Sequence, residues 1–129
     1  MSDFANNPSI ISIAEQVGAV LLRNKAKLTT AESCTGGGIA EAITAVAGSS
    51  QWFEYGYITY ANQAKKQLLN VDQQILDRFG AVREQVVEQM AAGALRSSEA
   101  DFAIAVSGIA GPTGGTAEKP VGTVCICWL

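Results

Sequence analysis

The sequence predicts an α/β domain whose central sheet is covered on both faces by helices. Segments with helical and strand periodicity follow one another as helix-strand-helix-strand-helix-helix-helix-strand-strand. Asp101 to Ser107 is a nearly continuous run of small apolar residues, the pattern of a strand with helices over both its faces. The stretch Thr29-Thr30-Ala31-Glu32-Ser33-Cys34-Thr35-Gly36-Gly37-Gly38 changes from β-branched and apolar residues to hydroxyls and glycines before an amphipathic run begins. That change marks a strand-to-helix turn, with Ser33 and Thr35 at the carboxyl end of a sheet.

Met1 to Pro8 is polar and reads as a frayed start, after which Ser9 caps a helix. Ile10, Ile13, Ala14, Val17, Val20 and Leu21 fall on one face of that helix, which runs to about Arg23 or Asn24. Lys27 to Ala31 forms the first strand. The second helix spans about Thr35 to Ala47 and stops at Gly48-Ser49-Ser50. Trp52 to Tyr60 has the aromatic and β-branched composition of a strand. Asn62 caps a short helix carrying Ala64, Lys65, Leu68 and Leu69, and Val71-Asp72 caps another, Gln73 to Phe79, closed by Gly80. Arg83 to Ser97 is the clearest helix, with Val86, Val87, Met90, Ala91, Ala94 and Leu95 as its buried stripe. A glycine-rich loop, Gly108 to Pro120, separates the strand at Asp101 to Ser107 from a last strand, Val121 to Trp128.

With 129 residues the chain forms one domain, residues 1–129, large enough to bury a core without disulfides or a metal. A net charge of -3 and a pI near 4.8 argue against neutralising a nucleic-acid backbone. No apolar run approaches the roughly 20 residues that span a bilayer, and the start lacks a basic signal region. A cytoplasmic protein without membrane or nucleic-acid partners is the expectation. Three cysteines are an odd number; Cys125 and Cys127 alternate along a strand and face one side. Without histidine they make a poor zinc site and read as buried reduced thiols.

The absence of histidine removes every Ser-His, Cys-His and His-metal mechanism. A hydrolase built on this chain needs a lysine, carboxylate or tyrosine with a shifted pKa as its base. Ser33 supplies a hydroxyl nucleophile. Lys65 shares an apolar stripe with Leu68 and Leu69, so partial burial would lower its pKa. Tyr60 precedes it at a strand-to-helix turn, and a Ser33-Lys65-Tyr60 cluster forms if the first two strands lie together. Each residue also has a plain explanation: Ser33 as a helix cap, Lys65 as a snorkelling side chain, Tyr60 as an ordinary strand aromatic. Cys34, at the start of a helix, is a candidate thiol with a lowered pKa, and small-residue packing accounts for it as well.

Five ordered blocks resemble the CinA C-terminal domain family. They are Thr30-Ala31-Glu32-Ser33-Cys34-Thr35-Gly36-Gly37; Gly48-Ser49-Ser50-x-Trp52-Phe53; Thr59-Tyr60-x-Asn62-x-Ala64-Lys65-x-x-Leu68-Leu69-x-Val71; Ser107-Gly108-Ile109-Ala110-Gly111-Pro112-x-Gly114-Gly115; and Lys119-Pro120-Val121-Gly122-Thr123-Val124. The resemblance implies a three-layer α/β/α sandwich and an amidohydrolase that converts nicotinamide mononucleotide to nicotinic acid mononucleotide and ammonia, in pyridine-nucleotide salvage. It implies Ser33 as nucleophile, with Lys65 and Tyr60 as its catalytic partners, and neither a metal nor an organic cofactor. We place the ribose phosphate and the oxyanion in two glycine-rich cradles: Cys34, Thr35, Gly36 and Gly37 at the helix start, and Gly111, Thr113, Gly114, Gly115 and Thr116 in the long loop. Which cradle takes which group stays open at this point. Thr113 stands where the family has glycine. Family members continue past the last strand into a further strand region and a C-terminal helix, so here an apolar sheet face is expected to lie uncovered, favouring a homodimer or higher oligomer. The rival reading keeps the fold and the cradles as a non-catalytic nucleotide-binding or interaction module.

Overall fold

In a computed structural model that describes residues 6–129, the first element is α1, Pro8–Arg23. Its cap is Asn7, whose side chain accepts the Ser9 N–H at 2.9 Å, and Pro8 takes the first helical position, where a missing N–H costs nothing. The expected Ser9 cap is thereby corrected; of the expected frayed start, residues 1–5 lie outside the described residues. The chain continues as β1 (Leu28–Glu32), α2 (Gly38–Thr44), a 3-10 turn at Ser49–Gln51, β2 (Phe53–Ile58), α3 (Asn62–Leu69), α4 (Gln73–Phe79), α5 (Glu84–Ser98), β3 (Phe102–Gly108) and β4 (Val124–Trp128).

The strands form one sheet in the order β2-β1-β3-β4. β1 pairs in parallel with both β2 and β3, and β4 closes the other edge antiparallel to β3. All five residues of β1 are buried, as a central strand under helices requires. On one face Leu28 and Ile104 pack with Leu21 of α1, Ile43 of α2 and Trp52. Gly18 makes room for that indole: a Cβ there would lie 2.7 Å from Trp52 Cζ2. On the opposite face Ala31, Ala103 and Ala105 receive Val86, Val87, Met90 and Ala94 of α5. Small residues on the strands and larger ones on the helix let α5 lie close to the sheet.

The expected uncovered apolar surface is present on the α1 side of β3 and β4. Phe102, Val124, Ile126 and Trp128 are exposed there, Trp128 to 76%. Val17 and Val20 of α1, with Phe102, Ile104, Trp128 and Leu129, line an open trough of about 510 Å³. Among the described residues no helix is long and apolar enough to cross a membrane.

Several boundaries differ from expectation, three of them with a clear local cause. The second helix begins at Gly38, not Thr35, because residues 35–37 form tight turns with Gly36 at φ 59 and Gly37 at φ 103. Asn62 lies inside α3, and the cap position falls on Ala61 without a side-chain bond. The last strand begins at Val124, because Gly122 at φ 95 and the Thr123 N–H to Pro120 carbonyl bond fold residues 120–123 into a turn.

Candidate active site

The topology itself singles out one crevice. β1 reaches β2 through α2 on one face of the sheet, and β2 reaches β3 through α3, α4 and α5 on the other. The connections after β1 and β3 therefore diverge at the carboxyl ends of two adjacent parallel strands, the position where open α/β sheets take ligands. Ser33 is the first residue beyond β1 in that crevice.

Ser33 extends the ladder by one rung, its N–H bonding the Val106 carbonyl at 3.0 Å. Its own carbonyl accepts the Gly36 N–H at 3.0 Å, which turns the chain sharply behind it. Strand alternation turns Ser33 toward the α5 side, with Thr29 and Ala31. Lys65 comes from the first turns of α3 on that side and is 1% exposed. Its Nζ lies 3.0 Å from Ser33 Oγ, 2.9 Å from the Thr59 carbonyl oxygen and 3.3 Å from the Tyr60 carbonyl oxygen. Burial pushes the Lys65 amine below its ordinary 10.5, and the Cys34 thiol opposes that only as a lesser effect. The ion pairs among the described residues, Lys27 with Glu54 and Arg83 with Glu118, do not involve it.

This set of contacts has a direct chemical reading. As an ammonium, Lys65 donates one proton to each of three oxygens. As a neutral amine, it keeps two N–H groups for the two carbonyls and turns its lone pair to the Ser33 hydroxyl. The two carbonyls thus leave the remaining position of the amine to the Ser33 oxygen.

The structure brings Ser33 and Lys65 together; from Tyr60 it brings the carbonyl. The Tyr60 side chain is 66% exposed, and its contact with Lys65 is through the main chain. Cys34 is half-buried beside Gly108 at the start of the long loop, where a Cβ would stand 2.9 Å from Cys34 Sγ. Burial raises the Cys34 thiol, the amides of Cys34 and Thr35 lower it, Glu32 raises it and Lys65 lowers it, with a net upward shift. Part of the first cradle is already engaged within the chain. Glu32 occupies the start of α2, accepting from the Ile39 N–H at 2.9 Å and the Ala40 N–H at 3.0 Å, while the Gly36 and Gly38 amides bond within the turn. In the second cradle Gly111 (φ 76) and Gly114 (φ 91) lie in the left-handed region, and Thr116 Oγ1 accepts the Lys119 N–H at 2.9 Å. Gly115 and Thr113 are exposed in the same loop. The loop's far end is held by Lys119 Nζ on the Val82 carbonyl.

Three residues escaped the sequence reading. Glu32 is 1% exposed, and in the sequence it stands out only as one residue of the strand-to-helix stretch. Thr59 supplies the carbonyl on Lys65, which no side-chain pattern announces. Ser107 is buried and lies on the α5 face of β3, one step along the register beyond the Glu32–Val106 pair and so beside Ser33. Its place at the end of an apolar strand, immediately before Gly108, was the signal available.

Comparison with known proteins places these features in context. The family model described as the CinA C-terminal domain matches residues 10–129. Nicotinamide-nucleotide amidohydrolase PncC of Escherichia coli K12 is 55% identical over 115 residues, covering 89% of this chain and 70% of that protein. The protein of the same name from Pseudomonas putida is 56% identical over 119 residues, covering 92% and 74%. Among solved structures, the competence/damage inducible protein CihA of Agrobacterium tumefaciens superposes with a TM-score of 0.90 at 49% identity, covering 92% of this chain and 72% of that one.

Proposed function

This chain belongs to the CinA C-terminal domain family, and on that premise we propose that it is an amidohydrolase converting nicotinamide mononucleotide to nicotinic acid mononucleotide and ammonia. Support for the activity comes from relatives above half identity that bear the name nicotinamide-nucleotide amidohydrolase. Support for the mechanism comes from one observation, the placement of Lys65 Nζ 3.0 Å from Ser33 Oγ with two carbonyls holding its other protons.

Neutral Lys65 takes the Ser33 proton as Oγ attacks the carboxamide carbon. The tetrahedral oxyanion falls to the amides of Cys34 and Thr35, which already favour negative charge on the Cys34 sulfur. Protonated Lys65 returns the proton to the departing nitrogen, the C–N bond breaks, and ammonia leaves an ester on Ser33. Water, deprotonated by Lys65, then attacks the ester carbon, and Ser33 departs with that proton to leave the carboxylic acid, which loses its remaining proton to solvent as the carboxylate product. Tyr60 serves through its carbonyl, which aims the amine, so proton transfer runs through the Ser33–Lys65 pair. With Glu32 on the start of α2, the phosphate of the substrate is assigned to the loop of Gly111 to Thr116.

The test is ammonia release from nicotinamide mononucleotide by the purified chain, beside Ser33→Ala and Lys65→Met. Turnover in the parent and its loss in both variants is the expected result. A folded parent that binds the nucleotide without turnover would instead support the non-catalytic binding module.

A further inference from the structure

A carboxylate with its charge removed from water is costly unless donors surround it. Glu32 is the buried acid among the described residues, and three donors converge on it. Thr35 Oγ1 donates to Oε1 at 2.6 Å, the Ile39 N–H donates to the same oxygen at 2.9 Å, and the Ala40 N–H donates to Oε2 at 3.0 Å. α2 has seven residues, too few to persist on helix propensity alone, so its start depends on this anchor. The same anchor reaches back into the turn that carries Ser33. Thr35 is two residues past the nucleophile, and its hydroxyl ties the turn to the carboxylate.

The main chain of Glu32 holds the other half of the site. Its carbonyl accepts the Thr59 N–H at 2.8 Å, and the Thr59 carbonyl is the 2.9 Å partner of Lys65 Nζ. One residue therefore touches both halves, through its side chain to the nucleophile turn and through its backbone to the strand end that aims the base. Substitution removes only the first link.

We infer that Glu32 is a positioning residue: its carboxylate fixes the Ser33–Gly38 turn so that Ser33 Oγ stays in register with an independently held Lys65. This rests on the Ser33–Lys65 reading above. Loss of the carboxylate leaves the base in place and lets the nucleophile wander. The signature is a fall in the rate of Ser33 chemistry with little change in KM and no change in the pH at which that rate rises. A purely structural role would lower the melting temperature and leave the rate per folded molecule intact.

The experiment measures two rates in the full chain and in Glu32→Gln, Thr35→Val and the double variant. One is steady-state hydrolysis of nicotinamide mononucleotide. The other is labelling of Ser33 by a fluorophosphonate, in which the Oγ–phosphorus bond forms, fluoride leaves and Lys65 takes the hydroxyl proton. Since a misplacement of about 1 Å costs about 10²-fold, Glu32→Gln is expected to slow both rates by roughly 30-fold to 100-fold, with KM changed by less than about threefold. Thr35→Val should slow both by about tenfold, and the double variant should match Glu32→Gln, because both act on one tie. Folded Glu32→Gln with labelling within about threefold of the parent overturns the inference, as does a raised KM with kcat intact. If Glu32→Gln does not fold, Thr35→Val decides, and undiminished labelling there overturns it. Labelling of the parent without hydrolysis of the nucleotide would sink the substrate reading alone, the labelling series still deciding the role of Glu32. A parent that is not labelled at Ser33 sinks both.

Discussion

Gly93 of α5 lies against the end of α3, and a methyl group placed there would meet the carbonyl oxygen of Leu69 first, with the carbonyl carbon at 2.7 Å and Cα at 2.8 Å. All three are backbone atoms, so no rotamer change relieves the contact. Ordinary carbon–carbon contact begins near 3.5 Å, and Gly93→Ala therefore forces α3 and α5 apart by roughly 1 Å. Leu69 is one helical turn beyond Lys65 on α3, and a rigid helix carries that displacement to the amine. The 3.0 Å bond from Lys65 to Ser33 then stretches to about 4 Å, beyond hydrogen-bonding distance. Overpacking of this kind costs about 1–3 kcal/mol of stability, and a 1 Å error at the reacting atoms costs about 10²-fold in rate. Ammonia release measured on the folded fraction, with the melting temperature taken from the same preparation, separates the two effects. Wild-type kcat with a lowered melting temperature would refute the claim that α5 sets the position of the base.

Burial lowers the pKa of Lys65, and both activity and stability follow from its direction. The rate of the parent should rise with pH through the lowered Lys65 value, below the ordinary lysine 10.5, whereas Lys65→Met should lose about 10²-fold to 10⁴-fold and show no such limb in a pH–rate profile. Between the lowered value and 10.5 the unfolded chain holds a proton that the folded one does not, so stability should rise with pH across that interval and be fully expressed above it. Denaturant titrations at several pH values should show this slope in the parent and its absence in Lys65→Met. Tyr60→Phe should cost less than about tenfold in kcat, because the Tyr60 carbonyl survives the change; a loss equal to that of Lys65→Met would return the hydroxyl to proton transfer. Thr30 Oγ1 is buried without a hydrogen-bond partner, so Thr30→Val should be neutral or stabilising by up to about 1 kcal/mol, and a clear fall in the thermal midpoint would contradict that.

Much of the frame was legible because its signals are local. The stripe on Arg83 to Ser97 predicted α5 nearly to the residue, and a run of small apolar residues predicted a strand under helices at Asp101 to Ser107. Lys65 was legible for the same reason, since its spacing to Leu68 and Leu69 put it on an apolar side of α3; Leu69 is buried, although Leu68 is exposed. Glu32 was not legible in its role, because an acid that ends a strand and an acid that caps a helix look alike until the turn between them is known. The same turn explains the misplaced start of α2: one hydroxyl and two glycines at 35–37 satisfy helix-start statistics and tight-turn geometry equally well. The contact of Tyr60 with Lys65 was hidden because it is made by the main chain, which composition does not report.

Ser33 and Cys34 place a hydroxyl and a thiol side by side at one strand end, yet the surroundings treat them differently. Burial, and to a lesser extent the neighbouring Glu32, raises the thiol, and the hydroxyl has the Lys65 amine 3.0 Å away. Chemically this inverts the usual ranking, in which sulfur outcompetes oxygen for carbon electrophiles. Covalent reagents should therefore sort by hardness: phosphorus, boron and sulfonyl centres that prefer oxygen go to Ser33, and soft alkylating agents find a neighbour that is mostly uncharged. An inhibitor for this crevice would then owe its selectivity to the element it attacks as much as to the shape it fills.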